Sequence, residues 1–178
     1  MNVWGQTLNM KSSSGVFSTE GLDKATEILL SQSAPPTNAE IILDLGCGWG
    51  PIACAIAAAC PNTRVIAIDV NERARELTKQ NAAVNNLEIE VYAPDEVPAD
   101  IVFDQIWSNP PIRIGKKQLR ELLTTWFART DGTARLVVSK NLGSDSLQTW
   151  LTENGWPTKR ITSVKGFRIL ESSIQLSN

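Results

Sequence analysis

The apolar run Ile41-Ile42-Leu43-Asp44-Leu45 passes directly into Gly46-Cys47-Gly48-Trp49-Gly50, and that loop into an alanine-rich stretch at 51–60. No other feature of the chain constrains its fold as tightly. A continuous apolar segment of strand length suits a strand covered on both faces, the situation in a parallel sheet. The stretch that follows reads as a helix, with Pro51 acceptable in its first turn. The succession then repeats: 64–69 gives a second buried strand and Glu72–Val84 a second helix, with Asn71 as its N-cap. Residues 88–92 and 101–107 supply a third and a fourth strand. Leu119, Leu122, Leu123, Trp126 and Phe127 recur at the spacing of a helix with one buried face. A fifth strand at 135–139 follows, then a helix at 146–154 ended by Gly155. Two strands at 160–165 and Phe167–Ile174, joined tightly at Gly166, complete the pattern.

Ahead of this region, Leu22, Ala25, Ile28 and Leu29 predict a helix over 22–30, capped by Ser18 or Thr19 and stopped near Pro35-Pro36. Val3, Trp4 and Leu8 are placed to pair as a short strand. Alternating strands and helices imply an α/β fold: a mostly parallel seven-stranded sheet, helices on both faces, and an antiparallel C-terminal hairpin at one edge. At 178 residues, 42% of them hydrophobic, the chain suits one domain that buries its core without a disulfide or a metal. In such sheets ligands sit beyond the carboxyl ends of the strands, where strand order reverses.

The composition removes several kinds of chemistry. There is no histidine, which excludes a histidine base and the Ser-His-Asp arrangement. Cys47, Cys54 and Cys60 are odd in number and lack CxxC spacing, so no metal site is expected. The longest apolar stretch, 51–60, falls far short of the ~20 residues that span a bilayer. No basic N-terminal region precedes an apolar run, and a cytoplasmic protein is the expectation. A net charge of -2 does not mark a broad nucleic-acid surface, so any contact with RNA must use local clusters.

Glycines at 46, 48 and 50 allow the loop after the first buried strand to approach a ligand closely. Asp69 closes the next strand, where a carboxylate can bind a ribose diol. Such a loop serves NAD(P) enzymes and methyltransferases alike, and without a ligand it would be a tight strand-to-helix turn. Asp44 discriminates between the first two. A carboxylate entering the loop would repel a pyrophosphate but tolerate a cationic sulfonium amino acid. Pro51-Ile52-Ala53 also lacks the third glycine that dinucleotide sites place inside the helix.

Asn109-Pro110-Pro111-Ile112 follows the fourth strand. Two prolines stiffen the backbone and remove its donors, leaving carbonyls to accept. A planar exocyclic amine needs two acceptors: the Asn109 side-chain oxygen and the Pro110 carbonyl would orient its lone pair toward a methyl donor. Transfer would then depend mainly on positioning. The product sheds its proton afterwards, so a chain without histidine can do the work.

The segment from Asn109 through Pro110, Pro111, Ile112, Arg113, Ile114 and Gly115 to Lys116 resembles the RsmC-like family of bacterial guanine-N2 methyltransferases of small-subunit ribosomal RNA. Gly15-Val16-Phe17-Ser18, Gly21-Leu22-Asp23, the loop from Asp44 to Pro51, Asp69-Val70-Asn71-Glu72-Arg73-Ala74 and Lys165-Gly166-Phe167 are similar to it as well. The resemblance implies a class I methyltransferase fold with S-adenosylmethionine as cofactor. It assigns the cofactor to Asp44, Gly46, Cys47, Gly48, Asp69 and Val70, with Asp95 reaching the adenine and Asn109 beside the transferred methyl. Asn109, Pro110 and Pro111 become the catalytic loop; Phe17, Ile112, Arg113, Lys116 and Lys117 face the substrate. The implied partner is ribosomal RNA or the small ribosomal subunit. This chain departs from the pattern in three places. Ile112 stands where many amino-methyltransferases carry an aromatic, Arg120 where short relatives often carry histidine, and one domain where well-known members have two.

Arg113, Lys116, Lys117 and Arg120 follow the catalytic loop, and Lys159, Arg160, Lys165 and Arg168 lie near the terminal hairpin. The first cluster is expected beside the mouth of the site, where RNA phosphates would pass. A methyltransferase for another planar amine (adenine N6 or protein glutamine) and a non-catalytic cofactor- or RNA-binding module remain as alternatives, the second resting on Ile112 and the single domain.

Overall fold

The chain opens on a hairpin of β1 (Asn2–Val3) and β2 (Gln6–Thr7), where a single strand was expected. Trp4 and Gly5 have φ of 48° and 79°, and a two-residue turn with both central residues at positive φ matches the twist of the strands it joins. Trp4 Nε1 donates to the Ser33 carbonyl at 2.7 Å, and its ring meets the edge of Trp107 at 5.8 Å. The computed structural model describes residues 1–12 and 21–176, so Ser18 and Thr19 lie outside the described residues. Helix α1 (Lys24–Ser31) is capped by Asp23, whose carboxylate accepts from the Ala25 and Thr26 amides. The expected cap was therefore misplaced: an aspartate next to the first turn binds the free amides directly.

The rest of the chain alternates as predicted. In order come β3 (Ile41–Leu45), α2 (Pro51–Ala59), β4 (Arg64–Ile68), α3 (Glu72–Val84), β5 (Glu90–Tyr92) and β6 (Phe103–Ser108). They are followed by α4 (Lys116–Phe127), β7 (Thr130–Ser139), α5 (Ser144–Glu153), β8 (Thr158–Val164) and β9 (Phe167–Ile174). Seven strands form one sheet in the order β5-β4-β3-β6-β7-β9-β8. Strands β3 to β7 are parallel, and β9 runs antiparallel between β7 and β8.

Successive residues of β3 serve opposite faces of the sheet. Ile42 packs with Ala25, Ile28 and Leu29 of α1 and with Ile52 and Ile56 of α2. Leu43 and Leu45 pack with Leu119, Leu123 and Phe127 of α4 and with Leu147 and Leu151 of α5. This two-sided burial is why the strand reads as a continuous apolar run. It also fixes the register, since a one-residue slip would exchange the faces. The chain builds outward from β3 to β4 and β5, then returns to place β6 on the other side of β3. Strand order thus reverses between β3 and β6, the position where α/β sheets bind ligands. No helix among the described residues is long and apolar enough to cross a membrane.

Candidate active site

The loops after β3 and β6 meet at this reversal. A Cβ built on Gly46 would lie 3.7 Å from Pro111 Cδ, in ordinary contact, and the Ser108 hydroxyl donates to the Leu45 carbonyl at 2.6 Å. The two motifs that the sequence singles out therefore form one site.

Asp44, near the end of β3, is fully buried against the start of α2. Its Oδ2 accepts from the Ala53 amide at 2.9 Å, while Oδ1 has no hydrogen-bond partner in the structure. Burial pushes its carboxyl up to about 8, against the pull of the Ala53 hydrogen bond and with help from the charge on Asp69. A buried carboxylate oxygen without a partner is costly unless a donor or a cation completes it.

The amides of the glycine loop turn inward. Gly46 and Cys47 both donate to the Ile68 carbonyl, at 3.0 and 2.9 Å, and Gly48 donates to Asp69 Oδ2 at 2.9 Å. Pro51 has no amide hydrogen, and Ala53 is taken by Asp44. Gly46, Cys47, Gly48, Gly50 and Ala53 thus spend their amides inside the protein, which leaves few N–H groups to grip a pyrophosphate. An acidic, acceptor-rich lining of this kind fits a cationic ligand better than an anionic one.

Two α3 residues that sequence reasoning missed hold this loop. Thr78 Oγ1 donates to the Gly48 carbonyl at 3.0 Å and lies 3.5 Å from Cys47 Sγ. Asn81 Nδ2 donates to the Trp49 carbonyl at 2.8 Å. Both side chains are buried, and their three-residue spacing on a helix was the signal available. Gly50 has φ of 86°, and a Cβ there would stand 2.8 Å from Thr78 Cγ2. Its smallness is required on both counts. Cys47 turns its thiol into this buried contact, and burial raises that thiol well above its ordinary pKa. Asp69 Oδ1 accepts from the Asn71 amide at 2.8 Å, so this carboxylate orders the loop whatever else it binds. Val70 beside it is 83% exposed, and Asp95 is exposed in the turn after β5.

In the second loop, Asn109 Nδ2 donates to Asp23 Oδ2 at 2.7 Å and to Thr26 Oγ1 at 3.1 Å. The Pro110 carbonyl is less free than expected: Pro111, at φ -74° and ψ 71°, makes an inverse γ-turn that brings the Ile112 amide to it at 2.8 Å. One lone pair is engaged and the other remains. Ile112 packs against the core and lines a cavity of about 160 Å³ with Leu119, Arg120, Val138, Leu142 and Ser146. Phe17 lies outside the described residues.

The first basic cluster is exposed at Arg113, Lys116 and Lys117, and the Arg120 guanidinium lies 5.0 Å over the Trp150 ring. The second cluster is largely spent. Lys159 pairs with Glu171, Arg160 and Arg168 both pair with Asp145, and Arg168 is buried. These three basic residues thus meet acidic partners on α5 and β9. Lys165 is exposed in the β8–β9 turn, and the Gly166 carbonyl after it accepts from the amide of exposed Lys140.

The family model described as the methyltransferase small domain matches residues 7–171. The chain belongs to this family. It is an S-adenosylmethionine-dependent methyltransferase. YbxB of Bacillus subtilis is 32% identical over 167 residues, covering 90% of this chain and 83% of that protein. Ribosomal RNA small subunit methyltransferase C of Citrobacter koseri is 39% identical over 118 residues, 63% of this chain. The match spans 34% of that relative's own length. Among solved structures, the Thermus thermophilus 16S rRNA N2 G1207 methyltransferase in complex with AdoMet and guanosine superimposes with a TM-score of 0.83 at 19% identity. That match covers 98% of this chain and 49% of the Thermus chain. A Pyrococcus furiosus methyltransferase superimposes with a TM-score of 0.72 at 20% identity, covering 96% of this chain and 90% of that one. These structural likenesses establish the class I methyltransferase fold.

Proposed function

We propose that this methyltransferase modifies the exocyclic N2 amine of a guanine in small-subunit ribosomal RNA. The observation that carries the reading is the Asn109 amide. Its nitrogen is turned to protein acceptors, which leaves Oδ1 as an acceptor on the loop whose Pro111 approaches Gly46. Asn109 Oδ1 and the second lone pair of the Pro110 carbonyl would take the two N–H groups of a planar amine. The amine nitrogen is then held with its lone pair toward the methyl, and attack needs no strong base. The released proton passes to solvent, as a chain without histidine requires. Guanine is favoured among planar amines by the likeness to methyltransferase C of Citrobacter koseri and by Ile112, which replaces a stacking aromatic and packs inward.

Asp44 and Asp69 would hold S-adenosylmethionine at the head of β3 and β4, together with the loop at Gly46, Cys47 and Gly48. The buried, unpartnered Asp44 Oδ1 fits a cationic amino acid group at this place. Val70 offers an apolar surface beside Asp69, and Asp95 a carboxylate after β5. Bound there, the cofactor supplies an electrophilic methyl on a sulfonium centre.

The test is methyl transfer from labelled cofactor to small ribosomal subunits, and to their naked RNA, from a strain lacking this protein. Label is expected at a single guanine N2. Label on adenine N6 or on a protein glutamine would redirect the reading, and no label in any substrate would reduce the chain to a binding module.

The exposed lysines at the head of α4 give a second expected result. Lys117 has only a distant exposed partner, Glu121 at 3.9 Å, so both Lys116 and Lys117 are available to phosphates. Lys116→Glu with Lys117→Glu should weaken RNA binding and flatten its dependence on salt. The log–log slope should fall by about 0.7–0.9 for each phosphate that is no longer neutralised. An unchanged slope in filter-binding titrations would mean that this face is only solvated.

A further inference from the structure

We propose that Asp23 and Thr26 are positioning residues for methyl transfer, which fix which end of the Asn109 amide meets the acceptor amine. The inference rests on the role given to Asn109 above, and concerns residues on α1 that lie far from it in sequence. An asparagine amide has a donor end and an acceptor end of nearly the same shape, and only its partners decide which points where.

At this site the partners decide it fully. Asp23 Oδ2, 2.7 Å from Nδ2, is an acceptor as a carboxylate oxygen. The Thr26 hydroxyl lies 3.4 Å from that same oxygen, toward which it donates, so the lone pairs of Oγ1 accept the other Nδ2 hydrogen at 3.1 Å. Rotating the amide by half a turn would set Oδ1 against a carboxylate oxygen and a hydroxyl lone pair. Asn109 therefore keeps both hydrogens toward Asp23 and Thr26, and its oxygen is left as the free acceptor at the opposite end of the amide.

The clamp is itself held. The Ala25 and Thr26 amides donate to Asp23 Oδ2 at 3.1 Å each, so the oxygen that caps α1 is the one that aims Asn109. Thr26 is buried at 4% exposure, on a helix that packs through Ala25, Ile28 and Leu29 against the sheet. A helix cap and a catalytic orientation thus share one atom.

Thr26→Val tests this with least disturbance, because valine matches threonine in shape and leaves the cap intact. Nitrogen-15 NMR of the full chain should show the Asn109 side-chain amide hydrogens exchanging about tenfold faster in Thr26→Val, as expected for losing one hydrogen bond. Single-turnover kcat on ribosomal RNA should fall by about tenfold, with cofactor Kd and Tm close to wild type. In an Asn109→Ser background Thr26→Val should change kcat no further, because coupled residues are not additive.

Unchanged amide exchange, an unchanged kcat, or a loss that adds fully to that of Asn109→Ser would overturn the proposal. If the wild type methylates no ribosomal RNA, the functional reading fails instead, and amide exchange alone decides whether the clamp exists.

Discussion

With asparagine at position 44, the protein is expected to melt at a higher temperature near neutral pH and to bind S-adenosylmethionine about a hundredfold more weakly. Both effects come from one buried carboxyl. Asp44 is fully buried, with one oxygen bonded to the Ala53 amide and the other unpartnered. Burial raises its folded pKa to about 8, whereas the unfolded chain titrates at the ordinary carboxylate value. Between those two values the folded state keeps a proton that the unfolded state has lost. Stability is therefore highest below this window and falls as pH rises through it, by up to about 1.4 kcal/mol per unit.

Asparagine carries no such slope. The gap between the variant and the wild type should widen in thermal melts taken from about pH 5 to about pH 8. A cation beside Asp44 favours the carboxylate form, so binding near neutral pH should expel a proton from the wild type. Calorimetry in two buffers of different ionisation enthalpy measures that proton, and the variant should not release it. If the variant binds cofactor normally, Asp44 has no part in holding it. If it melts lower at every pH, the carboxyl is stabilising and the structural account is wrong.

Asn109→Ala is the counterpart at the other loop. It should lower kcat by about a hundredfold to a thousandfold, the loss typical when one preorganised polar contact to the reacting group is removed. Cofactor affinity should hardly change, because the Asp44 and Asp69 contacts do not pass through this residue. Single-turnover assays with labelled cofactor, beside a cofactor titration, separate the two quantities. A variant that retains wild-type kcat would remove Asn109 from the chemistry and leave the loop as a plain strand ending.

The elements most legible in the sequence were those whose burial is uniform or whose caps are local. Ile41–Leu45 is apolar throughout because helices cover both of its faces, and Glu72–Val84 begins where Asn71 binds the Arg73 and Ala74 amides. Strand β7 begins at Thr130, five residues before the expected start. Thr130, Asp131, Gly132 and Thr133 lack the apolar residues that mark the strand after them, yet β6 and β9 on either side recruit them into the ladder. The glycine loop and the Asn109 loop were legible because each requires unusual backbone chemistry at fixed offsets. The link between Asn109 and Asp23 was not, since 86 residues separate them and only the packing of α1 brings them together. The ion pairs of the second basic cluster were hidden for the same reason: Asp145 and Glu171 reach Arg160, Arg168 and Lys159 from elements that a linear scan treats as unrelated.

The placement of β9 has a consequence for how the chain is made. This last strand of the described chain is interior to the sheet, hydrogen-bonded to β7 along eight residue pairs on one side and to β8 on the other. Until it leaves the ribosome, β7 offers a ten-residue open edge whose Leu136, Val137 and Val138 are buried in the finished fold. An exposed edge of that kind invites pairing with other nascent chains. The sheet receives β9 inside rather than at its rim, as the inner arm of a hairpin turned by Lys165 and Gly166. The same hairpin thus covers the edge that β7 would otherwise present to other chains.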